Sequence, residues 1–578
     1  MVLAGPTDPD WFSQIEAARV VSSADEIAWT DSADFVVVGY GGAGVSAALE
    51  ASEKGLSVVA VDCFDGGGAT RINGGVFYAG GGTPAQHEAG VTDSAEDMFQ
   101  YLRLETQGVV SDATLRRFCE SSVETVEWMT RHGVKFSGKL YAKKTSYPHS
   151  SFYLYHPDNS LAPAYEAVAR SAPRGHRAFV PATSSAVGYG VGLYDPLRAA
   201  AEQAGVRLLK AAEARQLVLD GSGRVLGVKI VQVRPGSKEA VRYFQLQARA
   251  TNLMLKMPPA IPGAGVAVRL AEKWFEQARA IQKRIGIEMF IRATRGICLS
   301  TGGFIFNRRM VARYAPKYLK GMPLGTPGDD GSGIRLGQSA GGAADRLGAV
   351  TAWRFINPPY AWAKGIIVDA AGRRYVNETL YGASIGQKMV EDHDGVAWLI
   401  LDQRLMDEAW AQTKDKLILP FQKYPAMMAM LLGRKKSGSL QGLARQCGFD
   451  ANILVAEVDA YNASARGSAA DRFQKAQEDM CAIERGPYYA INMSIDATFA
   501  PLPVLTLGGL KVDETSGEVL NENGRAIAGL YAAGRTAVGV CSNIYVSGLS
   551  AADCVFSGRR AAAHAAGGAG HPGREQGT

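Results

Sequence analysis

The chain has 578 residues, 47% hydrophobic and 20% charged, and its 62 Lys and Arg against 56 Asp and Glu leave a net charge of +6. That makeup excludes disorder throughout and fits a folded protein of about two to four structural units. The charge excess is too small to mark a nucleic-acid binder, and none is expected as a partner. Seven cysteines show neither a Cys-x-x-Cys pair nor a ligand-spaced histidine, so a reducing compartment is expected and a metal site is not. The N-terminus carries no basic region followed by an apolar one, and no apolar run reaches the length of about 18 residues that a membrane span needs. The expectation is a cytoplasmic protein that does not cross a membrane.

In chain order, residues 1–30 read as an N-terminal extension. The β-branched run DFVVV (34–38) then leads into Gly39, Gly41 and Gly44, with Gly42 and Ala43 opening a helix rich in small residues. A second strand, SVVAVD, ends at Asp62. This β-α-β unit has the dinucleotide fingerprint. The first glycine makes the turn, the second lets backbone amides reach a pyrophosphate, and the third admits close helix–strand packing. The phosphate sits at the helix N-terminus, and Asp62 accepts the ribose hydroxyls.

NAD and FAD share that fingerprint. Directly after Asp62 comes a second glycine-rich segment, GGGATRINGG (66–75), with Gly68, Ala69, Thr70, Gly74 and Gly75 as candidate contacts. A short dinucleotide needs no second cradle there, whereas an extended FAD does. Two further strands end in glycine turns: ICLSTGGF (297–304), with Thr301 and Gly302, and GLYAAGR (529–535), with Gly534 and Arg535. Together they predict one sheet around one long ligand, with FAD as cofactor. Gly534 and the turn after it are expected to aim amides at the flavin pyrimidine edge.

Residues 250–295 read as an insertion in the first part of the FAD-binding fold (31–315). Val266, Leu270, Trp274, Ala278, Ile281 and Ile285 form one helical stripe, and eight basic residues stand against three acidic ones. A basic amphipathic helix of this kind is expected to touch an anionic membrane surface, with a helix packed on its own domain as the alternative. Residues 316–495 have their own helical and strand patterns and predict an inserted capping, catalytic domain. The FAD-binding fold resumes over 496–565, and 566–578 read as a disordered tail. The fold class is α/β: a Rossmann-like FAD-binding domain with an inserted α+β cap.

The succession GYGGAG, GGGATRINGG, LSTGGF, GRRYVNE, LGGLKVD and GLYAAGR resembles the flavoprotein family of fumarate reductase and succinate dehydrogenase flavoprotein subunits and bacterial 3-ketosteroid dehydrogenases. The resemblance spans about residues 31–565. It implies FAD, a cap, and substrate held between cap and flavin. Fumarate reductases place an arginine proton donor shortly after the NE of GRRYVNE, but this chain reads Asn377-Glu378-Thr379-Leu380-Tyr381-Gly382. A buried dicarboxylate would lack its charge partners. The branch that desaturates carbons 1 and 2 uses a tyrosine on an early helix and a C-terminal Tyr-x-x-x-Gly. Here Phe118 stands at the first place and Leu549 at the second.

Tyr545-Val546-Ser547 and Tyr381 instead resemble the Δ4-(5α) branch, as do residues 328–342 and 547–561. The resemblance implies desaturation of a 3-ketosteroid substrate at carbons 4 and 5, with electrons passing on to an external acceptor. Tyr545 serves as base, Ser547 as relay, and Tyr381 as hydroxyl partner at the carbonyl or in the proton path; the two tyrosine roles are exchangeable. A free tyrosine has a pKa of about 10, so the base needs a relay or positive potential. Leu549 and Ser550 are expected at the cofactor, and Phe118 and Gly548 at the substrate. Arg535 stands where the fumarate reductase branch carries an acid. The aromatic loop of Tyr141, Tyr147, His149, Phe152, Tyr153, Tyr155 and His156 is expected either to line the substrate entrance or to pack at the surface. The alternatives are the carbon-1 desaturase, another flavin-linked enoate reductase, and a steroid-binding flavoprotein without turnover.

Overall fold

The computed structural model describes residues 11–180, 188–256 and 264–567. Its centre is a nine-stranded sheet. In chain order its elements are β1 (Arg19–Val21), β2 (Asp31–Val38), helix α1 (Gly42–Glu53), β3 (Val58–Val61), β4 (Arg207–Leu209), β5 (Ala212–Asp220) and β6 (Val225–Val233), followed by helices α2 (Lys238–Lys256) and α3 (Ala264–Ile285), then β7 (Gly286–Leu299), β8 (Glu518–Leu520), β9 (Ala526–Ala532) and helix α4 (Leu549–Gly567). Strands β9, β7, β2, β3 and β4 run parallel in that order.

Alternate residues of β2 and β3 face opposite ways, and both faces are covered. Val36, Val38, Val59 and Val61 enter one core, while Phe35, Val37, Val58 and Ala60 enter the other, beneath α1 and α4. Such unbroken apolar runs are what a parallel sheet buried on both sides requires.

The 14-residue strand β7 is the hinge of the topology. Its first half pairs antiparallel with β6 and its last residues pair parallel with β9, while β2 lies along its other edge. The register slips between Ala293 and Gly296, where Gly296 adopts φ +150°. β1 adds to β5 at the edge of the meander, so part of the N-terminal segment belongs to the sheet.

Residues 250–295 therefore divide differently from the sequence pattern. Gly286–Leu299 is sheet, and the preceding residues form a helical hairpin, α2 against α3. Ala278 is buried, and Trp274, Ile281 and Ile285 pack with it against Tyr243, Leu246 and Val233. Only the start of the stripe, Val266 and Leu270, is exposed. The apolar stripe faces its own domain because the hairpin needs a core of its own between β6 and β7. Residues 1–10, 181–187, 257–263 and 568–578, the last of which the sequence reads as a tail, lie outside the described residues.

Between β7 and β8 a four-stranded antiparallel sheet forms, in the order Ile366–Val368, Trp398–Leu401, Tyr488–Asn492 and Arg434–Ser437. Its core is continuous with the one under the main sheet. A smaller sheet of Met322–Pro323, Pro503–Thr506 and Val350–Ala352 joins the two regions. Among the described residues no helix is long and apolar enough to cross a membrane. All seven cysteines are unpaired.

Candidate active site

The strand ends converge on one cleft. Gly39 ends β2 with φ +92°, and a Cβ there would lie 2.7 Å from Ser300 O and Thr301 Cα. A Cβ on Gly44 would lie 2.0 Å from Gly39 O, so only glycine lets α1 sit this close to the turn. Gly41 is different: its Cβ would meet only Gly67 O at 3.8 Å, and one on Gly68 only Gly41 Cα at 3.6 Å. The two glycine loops thus face each other across a slot that side chains would fill. At the N-terminus of α1, Gly42 N donates to Thr70 Oγ1 at 3.1 Å, with Ala43 beside it in the first turn.

Asp62 is 7% exposed and accepts the amides of Tyr40 (2.8 Å), Phe64 (2.8 Å) and Gly66 (3.2 Å). Burial raises its carboxyl above the usual range, and those three amides work against the rise. Its carboxylate is largely engaged in joining the two glycine loops. Gly75, with φ +68°, leaves no room for a side chain against Tyr189 O, and Gly74 none against the Tyr147 ring. Ala69 lies in the short helix Gly68–Ile72 that carries Thr70.

On the far side, Thr301 Oγ1 accepts Gly333 N (3.0 Å) and Gly302 N donates to Thr536 Oγ1 (3.0 Å). Arg535 donates to Asp329 Oδ1 at 2.7 Å, and Asp329 also accepts Gly303 N and Thr326 N. Arg535 Nη1 is buried without a hydrogen-bond partner. The expectation for Gly534 needs correction, because its amide donates to Ser557 Oγ (2.9 Å) inside the fold. The positive end of α4 remains beside the cleft, starting at Leu549 and Ser550 directly after Tyr545–Gly548. The slot between the glycine loops and the orphaned Arg535 Nη1 both fit an extended dinucleotide cofactor.

The candidate catalytic side chains meet beyond these loops. Tyr155 and Ser547 hydroxyls share a hydrogen bond of 3.0 Å. Tyr545 packs edge-on against Trp353, ring centroids 4.6 Å apart, in a cluster with Tyr381, Ala383 and Leu505. Burial drives the Tyr381 hydroxyl well above its ordinary value; Tyr545 and Tyr155 add to the rise, and Ser547 and Trp353 oppose it. Burial also raises Tyr545, with Cys541 adding to the rise and the Gly548 amide and Arg535 opposing it. Trp353 Nε1 is a buried donor without a partner of hydrogen-bonding geometry.

Tyr381 owes its position to buried polar anchors. Three residues before it, Glu378 accepts Arg374 Nε (2.9 Å), Arg374 Nη2 (2.8 Å), Lys475 Nζ (3.0 Å) and Ile367 N (3.0 Å). Burial works to raise this carboxyl, but the two cations outweigh it and hold it below the usual range. On the other side Tyr381 N donates to Asn159 Oδ1 (2.6 Å), and Asn159 Nδ2 donates to Glu105 Oε1 (2.8 Å).

One predicted substrate contact lies in the core, while the other, Gly548, stays beside Tyr545 through its amide. Phe118 is 4% exposed and packs edge-on against Phe556 of α4, centroids 5.4 Å apart, as part of the core. Gly548, with φ +85°, presses on the strand Val76–Tyr78, where a Cβ would lie 2.7 Å from Tyr78 N. Tyr155 lies deeper than an entrance residue, since its hydroxyl meets that of Ser547. Its position in a tyrosine-rich loop was the only sequence signal. Arg177 was not singled out: it is 3% exposed and stands over the rings of Tyr147, Tyr153 and Tyr189.

A dinucleotide cradle on a parallel sheet, closed by a second region that supplies buried hydroxyls, defines a flavoprotein oxidoreductase. The sequence model of the FAD binding domain family matches residues 34–548. The chain belongs to that family, and its cofactor is FAD. It is 38% identical over 522 residues to 3-oxo-5-alpha-steroid 4-dehydrogenase of Comamonas testosteroni, covering 89% of this chain and 94% of that protein. It is 26% identical to 3-oxosteroid 1-dehydrogenase of Mycobacterium tuberculosis, covering 89% and 94%. Among solved structures, 3-ketosteroid Δ4-(5α)-dehydrogenase from Rhodococcus jostii RHA1, in complex with 4-androstene-3,17-dione, superposes with a TM-score of 0.78 at 28% identity, covering 95% of this chain and 99% of that one.

Proposed function

We propose that this protein desaturates a 5α-3-ketosteroid between carbons 4 and 5, with Tyr545 taking the proton from carbon 4 and Ser547 passing it on. The observation that carries the reading is the cluster of buried Tyr155, Tyr381 and Ser547 with half-buried Tyr545, walled by Trp353 and Leu505. An apolar substrate with one ketone fits such walls. Arg354 beside it is engaged with the carbonyls of Ala500 (2.8 Å) and Ser494 (3.2 Å), so those bonds do not serve a substrate carboxylate.

Removal of the α proton places negative charge on the ketone oxygen. Tyr381 and the Trp353 N–H beside it are the donors assigned to it, since a donor matched to developing charge lowers the barrier. Ser547 meets the Tyr155 hydroxyl and lies against Tyr381, which extends the proposed relay by one hydroxyl. Burial raises both hydroxyls, and Arg535 near Tyr545 and Arg177 near Tyr155 oppose part of that rise. FAD, when bound, supplies the acceptor for the hydride leaving carbon 5. The same reading puts the enzyme in the cytoplasm, taking its water-insoluble substrate from the inner face of a membrane.

The test is anaerobic mixing of holoenzyme with a 5α-3-ketosteroid, followed by turnover with an artificial electron acceptor. Flavin bleaching and a 4,5 double bond are expected. A product desaturated only at carbons 1 and 2 would overturn the assignment, and bound FAD that no ketosteroid bleaches would favour a binding protein.

A further inference from the structure

The helix Pro420–Leu432 (PFQKYPAMMAMLL) is apolar on nearly every side. Ala426, Ala429 and Met430 are buried against the antiparallel sheet of the cap, which settles the inner face. The outer face repeats the chemistry of the inner one: Phe421 is 56% exposed, Tyr424 60%, Leu431 52% and Leu432 59%. With half-buried Met428 these residues follow helical spacing and form one stripe, preceded by exposed Leu417. Five of the large hydrophobic side chains exposed among the described residues thus fall within 417–432. A helix that is hydrophobic all round is ordinarily buried, and a clustered apolar surface marks a binding face.

Charge identifies what covers it. Between 414 and 436 stand Lys414, Lys416, Lys423, Arg434, Lys435 and Lys436 against Asp415 alone. None of these six cations forms an ion pair among the described residues. A second copy docked through the same patch would bring both sets of six cations into one interface with one acid in each set, which costs repulsion. An apolar stripe with six nearby cations, of which Arg434 and Lys436 lie over the Tyr489 ring, matches an anionic lipid surface.

The stripe also adjoins the site. The Phe421 ring meets Tyr147 (centroids 5.8 Å), and Gln422 Nε2 donates to Tyr147 O (3.1 Å). Tyr147 reaches Gly74 through its hydroxyl and Tyr155 through its ring (6.4 Å), and Tyr155 holds Ser547. We propose that helix 420–432 with its basic rim docks the enzyme on an anionic bilayer, so that the mouth beside Tyr147 faces the lipid from which the steroid comes. This rests on the ketosteroid reading and moves the membrane contact from α3 to the cap.

The experiment is flotation of full-length holoenzyme with vesicles of phosphatidylglycerol and phosphatidylcholine in equal parts, against phosphatidylcholine alone, without steroid. Flotation is expected with the anionic vesicles and to weaken in high salt. A variant combining Tyr424→Ser, Leu431→Ser and Leu432→Ser is expected to lower the partition coefficient at least about tenfold. Lys416→Glu with Lys435→Glu is expected to lower it about tenfold as well. Both variants are expected to keep wild-type rates on steroid delivered in cyclodextrin, which separates failed docking from failed catalysis. Absence of flotation, equal flotation of wild type and variants, loss only in a Val266→Ser and Leu270→Ser variant, or a dimer dispersed by the triple variant would each overturn the proposal.

Discussion

Tyr155 and Ser547 lie 392 residues apart in the chain and share a 3.0 Å hydrogen bond in the interior. Replacing Tyr155 by Phe removes one oxygen and leaves Ser547 with one proton acceptor fewer. A rate loss of about fivefold is expected, in keeping with one hydrogen bond of about 1 kcal/mol. Stopped-flow bleaching of the flavin measures it. In combination with Ser547→Ala the loss is expected to be less than additive, because the proposed relay runs through both residues.

Tyr545→Phe is expected to keep the fold and the flavin absorbance while losing about 10²–10⁴-fold in rate. Ser547→Ala should cost less. Wild-type rates of flavin reduction in Tyr545→Phe would end its assignment as the base.

Glu378 is 1% exposed and holds Arg374 and Lys475 together beneath Tyr381. Glu378→Gln leaves two buried cations without their shared anion. Stability is expected to fall by roughly 3 kcal/mol, read as a lower urea midpoint, since removing one partner of a buried pair exposes the full cost of the other. Flavin reduction should slow as well, because the segment leading to Tyr381 loses its anchor.

Burial pushes the Glu105 carboxyl up to about 6, against the hydrogen bonds from Tyr101 and Asn159. The folded state therefore holds this proton more tightly than the unfolded chain does. The resulting stabilisation is complete below pH about 4.5 and is lost as pH rises through about 6. Stability measured across that window, wild type minus Glu105→Gln, is expected to fall by about 2 kcal/mol as pH rises. A flat difference would contradict the raised value.

The sequence by itself determined the cofactor fold. Gly39, Gly41, Gly44 and Asp62 are local features: a turn, a close approach and a strand end, each set within one β-α-β unit by backbone sterics that a linear pattern records. The Tyr-x-Ser segment and Tyr381 were legible only through their resemblance to a branch of the family. Tertiary structure decided the rest. A helical stripe such as Val266 to Ile285 has the same spacing whether it meets lipid or protein, and only the arrival of Tyr243, Leu246 and Val233 opposite it settles which. Phe118 could not be separated from a substrate contact until Phe556 covered it, nor Tyr155 from a rim residue until Ser547 met it. Partners hundreds of residues away leave no periodicity in the chain. Which face of an element is covered is fixed only when the whole sheet has closed around it.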